Sequence, residues 1–201
     1  MNMQNVKRAG TLYTAGGAIW FVTIIGSELV GFPWSEEHTT AFSIAEAIFI
    51  VMQTLLLIGF FGIWQSDGVG SGTFGKLAFG LAALGHLIFV LVEIHSLIIG
   101  ELSPAFPLAP LSSAAGILLT GIAVLRAKRW QGWMRWMPLI TGLYPFIFMF
   151  PFVAVTGETL DVAIGFWGLV RLVLGLAIRV QAEKGLVQSL ELNQSGGKQH
   201  A

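Results

Sequence analysis

Residues 75–99 read GKLAFGLAALGHLIFVLVEIHSLII, and this stretch decides the fold of the chain. It contains a single base, Lys76, and a single acid, Glu93, among residues that are otherwise mostly apolar. A helix needs about 20 mostly apolar residues to cross the hydrocarbon core of a bilayer. The stretch therefore predicts a transmembrane helix.

Five further stretches have the same character, and the connections between them are short. They are residues 11–32, 41–64, 105–126, 137–156 and 161–180. Transmembrane strands would show alternating polarity in units of about ten residues, and no such pattern occurs. We predict an all-α integral membrane protein, with a six-helix transmembrane domain over residues 1–181 and a polar cytoplasmic tail over 182–201.

The composition excludes other classes of protein. Of 201 residues, 55% are hydrophobic and 11% charged, whereas a soluble domain carries roughly a quarter charged residues. The apolar content also excludes a disordered chain. Because the chain contains no cysteine, disulfides and thiolate metal sites are excluded as well.

The net charge of zero hides an uneven distribution between the two ends of the predicted bundle. Ten bases fall on the side of the termini: Lys7, Arg8, Lys76, Arg126, Lys128, Arg129, Arg135, Arg179, Lys184 and Lys198. The opposite side carries acids instead: Glu36, Glu37, Glu101, Glu158 and Asp161. The positive-inside rule then predicts cytoplasmic termini in an inner or plasma membrane.

Six ionisable residues fall inside the predicted spans: Glu28, Glu46, His86, Glu93, His95 and Arg171. A charge at mid-bilayer costs at least about 2.5–3.5 kcal/mol, so such residues usually have a function. At 1.5 Å per residue, the three glutamates lie about 6–10 Å below the outer edge of the core, Arg171 roughly 15 Å and His86 about 20 Å.

Helical phase groups some of these residues. Ser43, Glu46 and Gln53 share one face of the second span, and His86 and Glu93 share one face of the third. His95, nine residues after His86, points to the opposite face.

We therefore predict an outward-facing acidic cavity that binds a cation, a proton or a small polar solute. Its lining is Glu28, Glu46 and Glu93, with Gln53, His86 and Arg171 beneath. The alternative is structural: Glu93 or Glu46 pairs with Arg171, Glu28 reaches the headgroups, and Gln53 and His86 form interhelical hydrogen bonds.

No motif indicates a metal, a cofactor or nucleic-acid binding. Di-iron bundles repeat Glu-x-x-His, which is absent. A bis-histidine haem needs histidines on different helices, whereas His86 and His95 lie on one. Walker A, His-Glu-x-x-His and Gly-x-Ser-x-Gly patterns are also missing, so we expect no cofactor and no metal.

Aromatic, proline and small residues give further local predictions. Interfacial positions are expected for five tryptophans: Trp34, Trp64, Trp130, Trp133 and Trp136. Pro138, Pro145 and Pro151 predict a bent fifth span, in which Tyr144 offers a hydroxyl near the depth of His86. Close helix packing is expected along a small-residue face of the fourth span: Ser112, Gly116 and Thr120.

Three classes of function remain open. The first is a small permease or channel-like protein in the lipid bilayer, whose acids bind a cation or couple solute movement to protons. The second is a subunit or assembly factor, with a homo-oligomeric or membrane-complex partner. The third is an intramembrane enzyme or lipid-binding protein that uses Glu/His acid–base chemistry on an amphiphile.

Overall fold

The structure is a computed structural model that describes residues 2–157 and 160–197, with side chains to residue 187. Every regular element in this part of the chain is helical: α1 (Met3–Val30), α2 (Thr40–Gln65), α3 (Thr73–Ile99), α4 (Leu108–Ala127), α5 (Met137–Tyr144), α6 (Phe150–Thr156) and α7 (Asp161–Gly197). A 3-10 turn (Gly132–Trp136) precedes α5, and a π-helical turn (Pro145–Met149) joins α5 to α6.

Six apolar helical segments within the described ranges are long enough to cross a membrane, the fifth being Gly132–Thr156 as a whole. The predicted all-α six-helix class is thus confirmed. The largest differences from the predicted boundaries are that α1 begins at Met3 and that α7 continues without a break through Gly197. Glu158, Lys198 and the last residues of the predicted tail lie outside the described residues.

Local chemistry sets where several helices begin and end. The hydroxyl of Thr39 accepts a hydrogen bond from the Phe42 N–H at 3.1 Å and so caps the start of α2. Helices α1 and α3 both end at glycines, Gly31 and Gly100, with φ of 65° and 76°. This left-handed conformation, which glycine adopts without strain, stops each helix at the same end of the bundle.

The start of α1 and the later part of α7 lie at one end of the bundle, which we call the terminal end. Lys7 near the start of α1 forms an ion pair at 3.0 Å with Glu183 in the last part of α7. Helices α1 and α7 therefore run antiparallel and side by side, and the connections that follow α1 and α3 lie at the opposite end.

Glycines allow neighbouring helices to approach closely. A Cβ atom at Gly168 of α7 would lie 2.7 Å from the backbone nitrogen of Phe21 in α1. A Cβ at Gly85 of α3 would lie 2.6 Å from the backbone nitrogen of Ser113 in α4. Small residues permit such contacts in membrane bundles, and they fix the rotation of α1 against α7 and of α3 against α4.

The fifth span is irregular, as its prolines predict. Pro145 begins the π-helical turn, and Pro151 lies at the start of α6. A proline cannot donate its backbone nitrogen and displaces the preceding turn, which breaks the regular hydrogen-bond ladder. The Tyr144 hydroxyl donates to the backbone carbonyl of Ala163 in α7 at 3.0 Å, so it holds the bent span against α7.

Trp130, one of the five tryptophans expected at the interface, is buried within the protein. Its side chain is 1% exposed, and its indole N–H donates to the Ser66 hydroxyl at 3.1 Å. A nearby connection folds over this indole, with Gly68 packed directly against its ring. Trp64, Trp133 and Trp136 are 41%, 50% and 44% exposed, which agrees with a boundary position.

Candidate functional site

A cavity of about 320 Å³ lies in the half of the bundle remote from the termini. Each of the six spans contributes to its wall, together with Trp34 and Leu102 from the connections at that end. Most of the wall is apolar, and aromatic rings dominate it: Trp20, Trp34, Phe49, Phe89, Phe106, Phe150 and Trp167. Such an apolar concave site with a few polar groups is typical of a small-molecule binding site.

Two carboxyl groups meet in this cavity. Glu46 of α2 and Glu93 of α3 are each 3% exposed, both line the cavity, and their side chains are close enough to share a hydrogen bond. Two carboxylates cannot donate to each other, so this bond needs a proton on one of them. Such a bond forms when at least one of the two carboxyl groups is protonated, and each residue keeps a buried Oε2 atom without a hydrogen-bond partner.

Gln53 is the third polar side chain of the cavity wall. It lies two turns after Glu46 on the same face of α2, as the spacing predicts, and is fully buried. Neither its amide nitrogen nor its amide oxygen has a hydrogen-bond partner in the protein. An unsatisfied buried amide costs about 1–3 kcal/mol.

Arg171 lies behind the cavity wall. Its guanidinium stacks on two indoles that line the cavity, with its central carbon 3.9 Å from the ring centre of Trp167 and 4.7 Å from that of Trp20. Its Nη2 donates to the Ser113 hydroxyl at 3.1 Å. Nε and Nη1 have no partner.

The pairing of Arg171 with Glu46 or Glu93, which the structural alternative predicts, does not occur. Among the residues with described side chains, no acid lies within ion-pair distance of the guanidinium. The indoles of Trp20 and Trp167 take the place of a counter-ion, because their π faces attract a cation.

His86 is connected to Arg171 through Ser113. The imidazole is fully buried, and its Nδ1 lies 3.0 Å from the Ser113 hydroxyl. Because a guanidinium only donates, the hydroxyl accepts from Arg171 and can give its own hydrogen to Nδ1 of a neutral imidazole. The Nε2 of His86 has no partner, and neither has the buried hydroxyl of Tyr13, whose ring centre lies 6.1 Å from the imidazole.

The structure separates the predicted site residues into three groups. Glu46, Glu93 and Gln53 line the cavity. His86 and Arg171 are buried behind the wall and joined by Ser113. Glu28 is exposed on α1 and is not part of the wall. His95 is directed away from the cavity, as predicted, and bonds to Ser103 at 3.0 Å.

Sequence reasoning missed the role of Ser113. It placed the small-residue face of α4 on Ser112, but Ser112 is half-buried while Ser113 and Thr120 are fully buried. Positions 113 and 120 are seven apart and share one helical face. That seven-residue spacing of Ser113 and Thr120 is the feature of the sequence that indicates this buried polar face.

The connections at the opposite end are tied together beside the cavity. A carboxylate oxygen of Glu37 accepts the Leu102 N–H at 2.9 Å, and His38 lies 3.6 Å from Glu101. Trp34 and Leu102 of these same connections line the cavity. This polar contact therefore fixes two residues of the wall.

No group of three or more histidines or acids that could hold a metal ion occurs among the described residues. Comparison with family models, curated proteins and solved structures finds no match to this chain. The six apolar helices and the buried polar groups between them define the class, a multi-pass membrane protein.

Proposed function

We propose that this protein is a permease or channel-like protein that takes a solute into the cavity and couples its binding to the proton of the Glu46–Glu93 pair. The ten bases at the terminal side support cytoplasmic termini, in an inner or plasma membrane. The cavity then faces the exterior.

The observation that carries the proposal is the buried carboxyl pair inside a cavity to which all six spans contribute. A carboxyl pair deep in a bundle is costly and does not cross-link helices better than amides or hydroxyls would. It does provide a group that changes charge when a proton leaves.

A purely structural role accounts poorly for the unpartnered atoms. Packing residues in a membrane bundle normally satisfy one another, because no water is present to do so. Here Gln53, Glu46 and Glu93 line the same cavity, and each keeps at least one buried polar atom without a hydrogen-bond partner. Unsatisfied polar groups beside a cavity are available to form hydrogen bonds with a bound solute.

Labelling with dicyclohexylcarbodiimide tests the proposal. This apolar reagent reacts with protonated carboxyl groups and leaves a stable N-acylurea that peptide mass spectrometry locates. We expect labelling of Glu46 or Glu93 in the membrane-embedded protein, with yield falling as the pH rises. Glu28→Gln is the matched control, because Glu28 lies in the same bundle but outside the wall, and it should leave this labelling unchanged.

Two results would contradict the proposal. The first is a wild-type protein whose Glu46 and Glu93 stay unlabelled across the pH range. The second is an E46Q/E93Q variant that is labelled as strongly as the wild type, which would place the reactive carboxyl elsewhere.

A further inference from the structure

The side chains that line the cavity restrict the classes of solute that it can bind. The cavity offers three polar side chains, Glu46, Glu93 and Gln53, within an otherwise apolar and aromatic lining. Calcium takes six to eight oxygen ligands and magnesium needs six in octahedral geometry. Three side chains surrounded by aromatic rings are a poor shell for such an ion.

The aromatic rings favour a different kind of cation. Trp and Phe faces attract an organic ammonium, and aromatic cages of this sort recognise quaternary ammonium groups. Trp20 and Trp167 already stack on Arg171, which shows that this bundle stabilises a cation by indole faces. Five further rings line the cavity: Trp34, Phe49, Phe89, Phe106 and Phe150.

We infer that the cavity binds a lipophilic organic cation, an ammonium compound with an aromatic or alkyl substituent, whose charged group contacts Glu46 and Glu93. This inference rests on the proposed function and specifies its substrate class. The substituent lies against the aromatic wall. Arg171, behind Trp20 and Trp167, repels the cation from the base of the cavity, so the ammonium group stays at the carboxyl pair.

Charge balance at the pair links binding to proton release. Exchange of a cation for a proton requires that the pair hold one proton, and so carry a single negative charge, before binding. When the cation replaces that proton, both carboxylates are ionised and the cation offsets one of them. The net charge of the site is thus the same before and after, because the added cation offsets the second carboxylate.

No other titratable side chain in the described ranges lines this cavity. The elements packed around it carry their titratable or charged groups elsewhere. These are Lys7, Arg8, Tyr13 and Glu28 on α1, Lys76, His86 and His95 on α3, Arg126 on α4, Tyr144 on α5, Asp161, Arg171, Arg179, Glu183 and Lys184 on α7, and Glu36, Glu37, His38 and Glu101 on the connections. The exchanged proton is therefore assigned to Glu46 and Glu93.

Binding of two matched probes to the purified full-length protein tests the inference. Benzyltrimethylammonium carries a permanent charge, and neopentylbenzene is its neutral isostere. Tryptophan fluorescence reports occupancy, because Trp20, Trp34 and Trp167 line the cavity. At pH 8 we expect the cation to bind at least about tenfold more tightly than the isostere, with proton release into a weakly buffered solution.

Variants distinguish the loss of the carboxylate charge from the loss of an intact cavity. In E46Q/E93Q the preference for the cation should disappear while neopentylbenzene still binds, which shows that the cavity is intact. Glu28→Gln should keep the wild-type preference. A variant that binds neither probe is replaced by the single substitutions Glu46→Gln and Glu93→Gln, each of which should weaken cation binding and abolish proton release.

The outcomes distinguish this inference from the proposed function. Equal affinity for the two probes would overturn the organic-cation assignment and indicate a site for neutral apolar solutes. Carbodiimide labelling of Glu46 or Glu93 without binding of either probe would overturn the inference alone. Absence of both labelling and binding would overturn the proposed function as well.

Discussion

Replacement of Gly85 by alanine tests the packing that places His86 and Ser113 together. Gly85 of α3 faces the backbone of α4, where a Cβ atom would lie 2.6 Å from the nitrogen and 2.7 Å from the Cα of Ser113. Gly80 lies on the same helix, and a Cβ there would have no neighbour within 4 Å. The two glycines therefore differ in their surroundings but not in their helix.

The expected loss in stability of Gly85→Ala relative to Gly80→Ala follows from this difference in surroundings. Ordinary van der Waals contact begins at 3.4 Å, so α3 and α4 must separate by about 0.8 Å to accept the methyl group. Overpacking of a well-packed interface costs about 1–3 kcal/mol. Alanine also favours a helix over glycine by about 1 kcal/mol, but this gain is common to both variants and cancels in the comparison.

We expect Gly85→Ala to be less stable than Gly80→Ala by about 1–3 kcal/mol, or about 2–12 °C in Tm for a chain of this size. Thermal unfolding of the detergent-purified variants, followed by tryptophan fluorescence and by loss of the monodisperse peak in size-exclusion chromatography, measures the difference. Equal Tm values for the two variants would refute the close α3–α4 contact, and with it the position of Ser113 beside His86.

Two further predictions concern topology and the buried arginine. The chain contains no cysteine, so a single introduced cysteine is the only thiol that a maleimide can label. With cytoplasmic termini, Leu102→Cys in intact cells should react with a membrane-impermeant maleimide, whereas Ser71→Cys should react only after permeabilisation. The reverse pattern would refute cytoplasmic termini. Arg171→Met should raise Tm, by an amount on the order of 1 kcal/mol in stability, because it removes a buried charge with two unpartnered nitrogens. Arg171→Lys should lower Tm, because the ammonium keeps the charge but loses the planar stacking on the indoles. A lower Tm for Arg171→Met together with an unchanged Tm for Arg171→Lys would contradict both expectations and show that the charge itself stabilises the bundle.

Hydropathy and helical phase predicted the parts of this protein that depend on one helix at a time. The length of an apolar stretch is matched to the thickness of the bilayer, so residues 75–99 and the five other stretches predicted six spanning helices. The 3.6-residue period separated His95 from His86 and placed Gln53 with Glu46. Proline chemistry likewise predicted the bend in the fifth span, since it acts within a single backbone.

Tertiary structure determined the side-chain contacts that depend on how each helix is rotated against its neighbours. Similar depths suggested that Glu28 would join Glu46 and Glu93, but depth gives no rotation, and Glu28 is exposed on α1. Arg171 contacts Ser113 and two indoles rather than an acid, because glycine contacts such as Gly168 with α1 and Gly85 with α4 set the rotation of each helix. Trp130 shows the same limit, since its burial depends on a connection that folds over it. The sequence by itself determined that acids enter the membrane, and packing alone determined which of them meet.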